Sequence, residues 1–244
     1  MRHFKRIGVA LAIVLGVLGG LAWYVRSLPW RNHCGDGPTA RQSPGRAANS
    51  AVATSQPLAT KVAADVLAAG GSAADAAISA ALMLSVVEPG NSGLGGGGFA
   101  LVHDPRTDSD VSLDFRERAP LDLDVGQLNA ALGKDPKALR NGALAVAVPA
   151  EWQGLVALHR RFGRLPLAVL ARPAIAAARG GVPIGRDYAA RCWMRLSSLR
   201  NDADARRIFL TARGGLCPVP GWLLRQPELA DTLAALTDDQ HPRS

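Results

Sequence analysis

The chain has 244 residues and 48% of them are apolar, enough for one well-buried core and too apolar for wholesale disorder. Aromatics make up 5% and alanine is abundant, which favours close-packed helices over an aromatic-rich β-sandwich. The net charge is +8, and with four lysines (Lys5, Lys61, Lys134, Lys137) among 28 basic residues the other 24 are arginines; they are scattered, with no recognition-helix motif, so no nucleic-acid partner is expected.

Residues 1–6 carry Arg2, Lys5 and Arg6, and the next 19 residues, Ile7 to Val25, hold no charge. At about 1.5 Å per residue that stretch reaches roughly 28 Å as a helix, enough to cross a bilayer core. It ends in Leu21-Ala22-Trp23-Tyr24, and aromatics suit the membrane interface. The reading preferred over a cleaved signal peptide is an uncleaved anchor. The basic residues before it make 1–6 a cytoplasmic N-terminus. The chain is then a single-pass inner-membrane protein, with its domain on the periplasmic side. Residues 26–50 are rich in Pro, Gly, Arg and Asn and read as a linker to a domain spanning 51–244. Cys192 and Cys217 flank a polar stretch and can pair in an oxidising compartment, leaving Cys34 over; the alternative is three free thiols. No C-x-x-C or His/Cys cluster points to a metal, and no cofactor is expected.

Pro57 to Ala69 reads as a helix, with Pro in its first turn and Gly70-Gly71 stopping it. A second helix runs from a Ser72 cap, with Asp75 three residues on, to a stop at Glu88-Pro89-Gly90. Alanine on several of its faces marks it as buried. FALVHD and VSLDFR, joined by DPRTDSD, read as a hairpin from Phe99 to Arg116, and GALAVAVP from Gly142 as a further strand. Helices are expected at 150–162, 167–179, 186–200 and 222–237. Strands early and helices later make the class α+β.

Between the second helix and the hairpin lies EPGNSGLGGGGF, in which five of the six residues 93–98 are glycine. Gly93, Gly95 and Gly98 spell G-x-G-x-x-G. A dinucleotide fingerprint needs strand, glycines, then helix, so that the helix N-terminus meets the pyrophosphate. Here the order is helix, glycines, strand, which offers a helix C-terminus with the wrong dipole. The glycines are expected instead to let a buried helix turn sharply into a strand with close backbone contact.

At these residues a resemblance emerges. PLATKVAADVLAAGGSAADAAISAALMLSVVEPGNSGLGGGGFALVHD, followed by LDFRERAP, resembles the N-terminal part of γ-glutamyltransferases (glutathione hydrolases). The resemblance continues through VAVPAEWQGLVALHRRFGRLPL and PAIAAARGGVPI to QPELADTLAAL, and covers about residues 50 to 237. It implies part of an N-terminal nucleophile hydrolase, a four-layer αββα sandwich. In that family a precursor cuts itself into large and small subunits. A freed threonine, whose own α-amine serves as base, attacks the γ-glutamyl carbonyl. The glutamyl group passes to water or an amino acid. The substrate's α-carboxylate needs a fixed cation, and Arg binds it bidentately. The resemblance gives that role to Arg116, in the Arg116-Glu117 pair; otherwise Arg116 would read as a solvated strand-end charge.

The family's Thr-Thr segment has no match here. The threonines are Thr39, Thr54, Thr60, Thr107, Thr211, Thr232 and Thr237, and none opens such a stretch. Thr54 and Ser55 lie where the large subunit begins, and His103 and His159 read as turn and helix-surface residues. No residue of this chain is therefore assigned as catalytic. The expectation is a truncated large-subunit domain, inactive alone, whose partners are a Thr-bearing polypeptide and a γ-glutamyl compound such as glutathione. The missing part would supply half the central sheets and leave strand edges and apolar faces exposed. The alternative is a non-catalytic, membrane-tethered remnant or binding protein.

Overall fold

The computed structural model of the chain describes residues 50–238, apart from 138, 141, 213 and 214. The expected cytoplasmic N-terminus, apolar anchor, most of the linker and Cys34 lie outside the described residues. Among the described residues no helix is long and apolar enough to cross a membrane.

Helix α1 (Pro57–Ala68) leads through Gly70-Gly71 into α2 (Ala73–Val87), the centre of the core. Ten of the 15 residues of α2 are buried, from Ala74 to Val86. Its alanines let α1 and, from later in the chain, α5 (Leu167–Gly180) pack closely against it. The capping box read from Ser72 and Asp75 forms: Asp75 N–H donates to Ser72 Oγ at 3.1 Å and Ser72 N–H to Asp75 Oδ2 at 2.8 Å. Deeper in, Ser79 donates its hydroxyl to the Leu170 carbonyl of α5 at 2.8 Å, satisfying both groups inside the core.

The hairpin is β1 (Gly98–Asp104) antiparallel to β2 (Ser109–Phe115), with Gly98 opposite Phe115. Alternation sends Ala100, Val102 and Leu113 to the core and Phe99 and Leu101 outward. The covering helix is α4 (Glu151–Phe162), which packs on both strands and on α2. Nothing among the described residues covers the other face: Phe99 is 68% and Leu101 78% exposed.

Between hairpin and α4 the expectations need correction. GALAVAVP is not a strand: it forms a 3-10 turn at Ala143–Ala145, and Val148 alone pairs, bridging Arg118. Its apolar residues favour an extended chain, but a strand requires a partner along its length. Val146 and Val148 stay exposed. Helix α3 (Val125–Lys134) was not anticipated; Asp124 caps it, accepting from Gly126 N–H at 2.7 Å and Gln127 N–H at 3.1 Å, and none of its residues is buried.

After α5 come β3 (Val182–Pro183), α6 (Arg186–Asn201), an unanticipated α7 (Ala203–Phe209) capped by Asp202, β4 (Leu223–Leu224) and α8 (Pro227–Thr237). The expected helix from 222 starts later because Leu223 and Leu224 pair with β3 and Pro227 occupies the first turn. Buried Gln226 ties three ends together, donating from its side chain to Val86 O (2.9 Å) and from its backbone to Ala178 O (2.8 Å).

Cys192 and Cys217 are bonded, with Cα atoms 5.7 Å apart and a sequence separation of 25. The bridge is buried with Leu210, and it pins α6 to the loop after α7. Replacing both cysteines by serine should remove roughly 3 kcal/mol. It should lower Tm by about 8 °C in thermal unfolding, and reductant should do the same to the natural chain. A Tm indifferent to reductant would show that the bridge contributes nothing.

Candidate functional site

The glycine turn, the end of β2 and the start of α4 meet at one place. Gly96 O accepts both Ala150 N–H and Glu151 N–H at 2.9 Å, fastening the turn to the first residues of α4. A Cβ on Gly97 would run into the Phe115 carbonyl, and would lie 3.0 Å from Glu117 N and 3.1 Å from Arg116 Cα. Only glycine lets the two backbones approach this closely. The Phe115 ring in turn lies where a Cβ on Gly154 of α4 would be. The close contact expected of the glycine run is thus present, and its partner is the segment that carries Arg116.

A cleft of about 440 Å³ opens there, lined by Asp114, Arg116, Arg118, Pro149 and Gln153 among others. The Arg116 backbone N–H donates to Asp114 Oδ1 at 3.0 Å, fixing the turn out of β2. Its side chain is 55% exposed, and Nε lies 3.3 Å from Glu117 Oε2. Its two terminal nitrogens make no hydrogen bond or ion pair with the described residues. Glu117 is more sheltered, at 23% exposure. Its Oε2 is buried and has no hydrogen-bond donor, so the contact with Arg116 is a charge contact without hydrogen-bond alignment. Half-buried Glu151, the first residue of α4, is close enough to feel its charge. Burial, and then the charge of Glu117, push the Glu151 carboxyl above its ordinary range.

This arrangement provides a cation for an anionic ligand and, among the described residues, no nucleophile beside it. Thr54 is occupied at the approach to α1, donating to Gln56 O at 2.8 Å with Thr60 Oγ1 2.7 Å away. Ser55 donates to Glu88 Oε2 at 3.0 Å. His103 is exposed on β1, with Nδ1 3.1 Å from Asp110 Oδ1. His159 closes the end of α4, donating from Nε2 to Leu165 O at 2.7 Å. Among the described residues no group of three His, Cys, Asp or Glu side chains is placed to hold a metal. Sequence reasoning missed Glu151: nothing local in VPAEWQG shows that the fold will bring it within reach of the Glu117 charge.

A mixed fold with a helical core, a glycine-turned hairpin and an arginine at the strand end defines the class, and comparison with known proteins supplies the family. The profile of the family described as Gamma-glutamyltranspeptidase matches residues 59–243. The chain belongs to that family. It is similar to Glutathione hydrolase 2 of Arabidopsis thaliana, 34% identical over 192 residues, which cover 78% of this chain and 32% of that protein. Glutathione hydrolase 7 of Homo sapiens is 38% identical over 186 residues, 76% of this chain and 27% of that one. The crystal structure of Helicobacter pylori gamma-glutamyltranspeptidase superposes with a TM-score of 0.71 at 34% identity, over 76% of this chain and 53% of that one. The chain thus spans about a third of the length of these curated relatives.

Proposed function

We propose that the chain is the carboxylate-binding, N-terminal part of a γ-glutamyl-transferring enzyme. Arg116 takes the α-carboxylate of a donor such as glutathione. The threonine nucleophile comes from polypeptide outside these 244 residues, and the chain by itself does not hydrolyse the donor. The observation that carries the reading is the Arg116 guanidinium, presented at the mouth of a cleft with its terminal nitrogens available for a bidentate pair. The uncovered outer face of the hairpin supports it: Phe99 and Leu101 are what a second sheet of an αββα sandwich would bury. Residues 7–25 anchor the chain in the inner membrane, and the domain from 51 onward works on the periplasmic side, where the disulfide persists.

The purified chain should show no hydrolysis of a γ-glutamyl anilide. Co-expression with the C-terminal part of a relative, from beyond the matched region, should produce hydrolysis. Arg116→Ala should then reduce kcat/KM at least about 100-fold, the size expected from losing a charged hydrogen-bonding partner. Activity of the chain alone that disappears with Thr54→Ala would overturn the reading, as would a reconstituted enzyme indifferent to Arg116→Ala.

A further inference from the structure

We propose that the outer face of α6 is a docking surface for an anionic phospholipid bilayer. The inference goes beyond glutamyl transfer, and takes from the proposed function only that residues 7–25 hold the chain at a membrane.

The face is defined by what α6 buries on its other side. Tyr188, Cys192, Leu196 and Leu199, spaced as one helical stripe, pack around the disulfide and Leu210. At about 3.6 residues per turn the opposite side carries Trp193 and Met194. Trp193 is 58% and Met194 71% exposed, although a core ordinarily takes in both residue types.

Positive charge surrounds the pair. Arg186 and Arg200 stand seven residues before and after Trp193 on the same side of the helix, about 10 Å away along its axis in each direction. Arg191 and Arg195 form the row beyond Met194. All four arginines are exposed. Arg195 donates to the Arg140 carbonyl at 3.4 Å and Arg200 to the Gly215 carbonyl at 2.8 Å, and a carbonyl leaves the guanidinium charge unneutralised. Asp187 is the one acidic residue of the helix.

This pattern selects among anionic partners. A small soluble anion would use the arginines and leave the apolar pair in water. A bilayer uses both: its phosphates lie at the level of the guanidinium groups, and tryptophan settles into the interface beneath them. Lipid is also close at hand. Residues 26–49, at up to about 3.5 Å each, reach roughly 85 Å when fully extended. A domain tethered through them never leaves the neighbourhood of a membrane, so weak docking suffices.

The test reads the face directly. The full chain is reconstituted into vesicles of phosphatidylglycerol with phosphatidylcholine, and into vesicles of phosphatidylcholine alone. Hydrogen peroxide, which crosses bilayers, is added, and formation of Met194 sulfoxide is followed by mass spectrometry. Buried Met83 is the internal control. Met194 should oxidise at least about fivefold more slowly on the anionic vesicles, the effect of a single arginine near a charged leaflet. Raising salt from about 0.1 M to about 1 M, which cuts the screening length from about 10 Å to about 3 Å, should remove the difference. Arg186→Gln combined with Arg191→Gln should do the same at low salt. Equal rates on the two kinds of vesicle, or a difference that salt leaves intact, would overturn the proposal. So would protection in detergent without lipid that grows with protein concentration, which would make the occupant a second copy of this chain. The salt series on the natural chain decides even where a variant fails to fold. An alkaline carbonate wash, which strips surface-bound chain and spares a spanning one, decides the anchor separately, and the Arg116→Ala assay decides the donor-binding reading.

Discussion

Asp75→Ala is expected to destabilise the domain by about 4 kcal/mol, lowering the urea midpoint by about 2 M. The carboxylate is fully buried and is the acceptor for three backbone amides. One is Ser72 N–H at 2.8 Å, the local capping-box bond. The other two come from Arg164 and Leu165: Arg164 N–H is shared between both oxygens at 3.1 and 3.0 Å, and Leu165 N–H lies 3.3 Å from Oδ2. Hydrogen bonds to a charged acceptor are stronger than neutral ones, and the substitution leaves all three amides without it in a dry site. An ordinary cap loss costs about 1 kcal/mol. A measured loss near that figure would mean that water replaces the carboxylate and that the long-range bonds contribute little. Asp75→Asn should lose less, because an amide oxygen in the Oδ2 position still accepts from all three amides and its NH₂ group meets only the shared Arg164 N–H. Ser72→Ala supplies the comparison, since it breaks the local cap and leaves the bonds to Arg164 and Leu165.

The same residue shows how far the fold was legible in the sequence. Ser72 and Asp75 announce a helix start because their partners are three residues away. The bonds to Arg164 and Leu165, 89 and 90 residues on, have no local signal, and they join the α4–α5 turn to α2. Gln226 is a similar case, reaching Val86 across 140 residues. Local reading also failed where burial could not help. Helix α3 has no buried residue, so no core contact holds it, and its Asp124 cap is a local signal that the sequence reading passed over. In GALAVAVP the residue preferences favoured a strand, and among the described residues it finds no partner beyond Arg118. Arg116 was reached through family resemblance; as a lone strand-end charge it carried no distinguishing mark. The reason for the glycines was legible in kind, and the structure adds which backbone they make room for.

Gly97→Ala is expected to cost about 3 kcal/mol, the upper part of the range for overpacking. The added methyl would meet the Phe115 carbonyl, Glu117 N and Arg116 Cα, all backbone atoms, so no rotamer change relieves it. The end of β2 would have to move away from β1, and Arg116 and Glu117 would move with it. Gly95→Ala, two residues earlier in the same run, is the control, since a Cβ there meets nothing within 4 Å. It should be nearly neutral, or slightly stabilising by restricting the unfolded chain. Urea unfolding of the two variants separates the explanations. If both lose equally, the glycines serve general flexibility of the turn and the contact with Phe115 is incidental. If Gly97→Ala alone loses stability, and shifts the Arg116 Nε–H NMR signal as well, the glycine is there to set the backbone that aims the arginine. Fold stability and the position of Arg116 then depend on the same missing methyl.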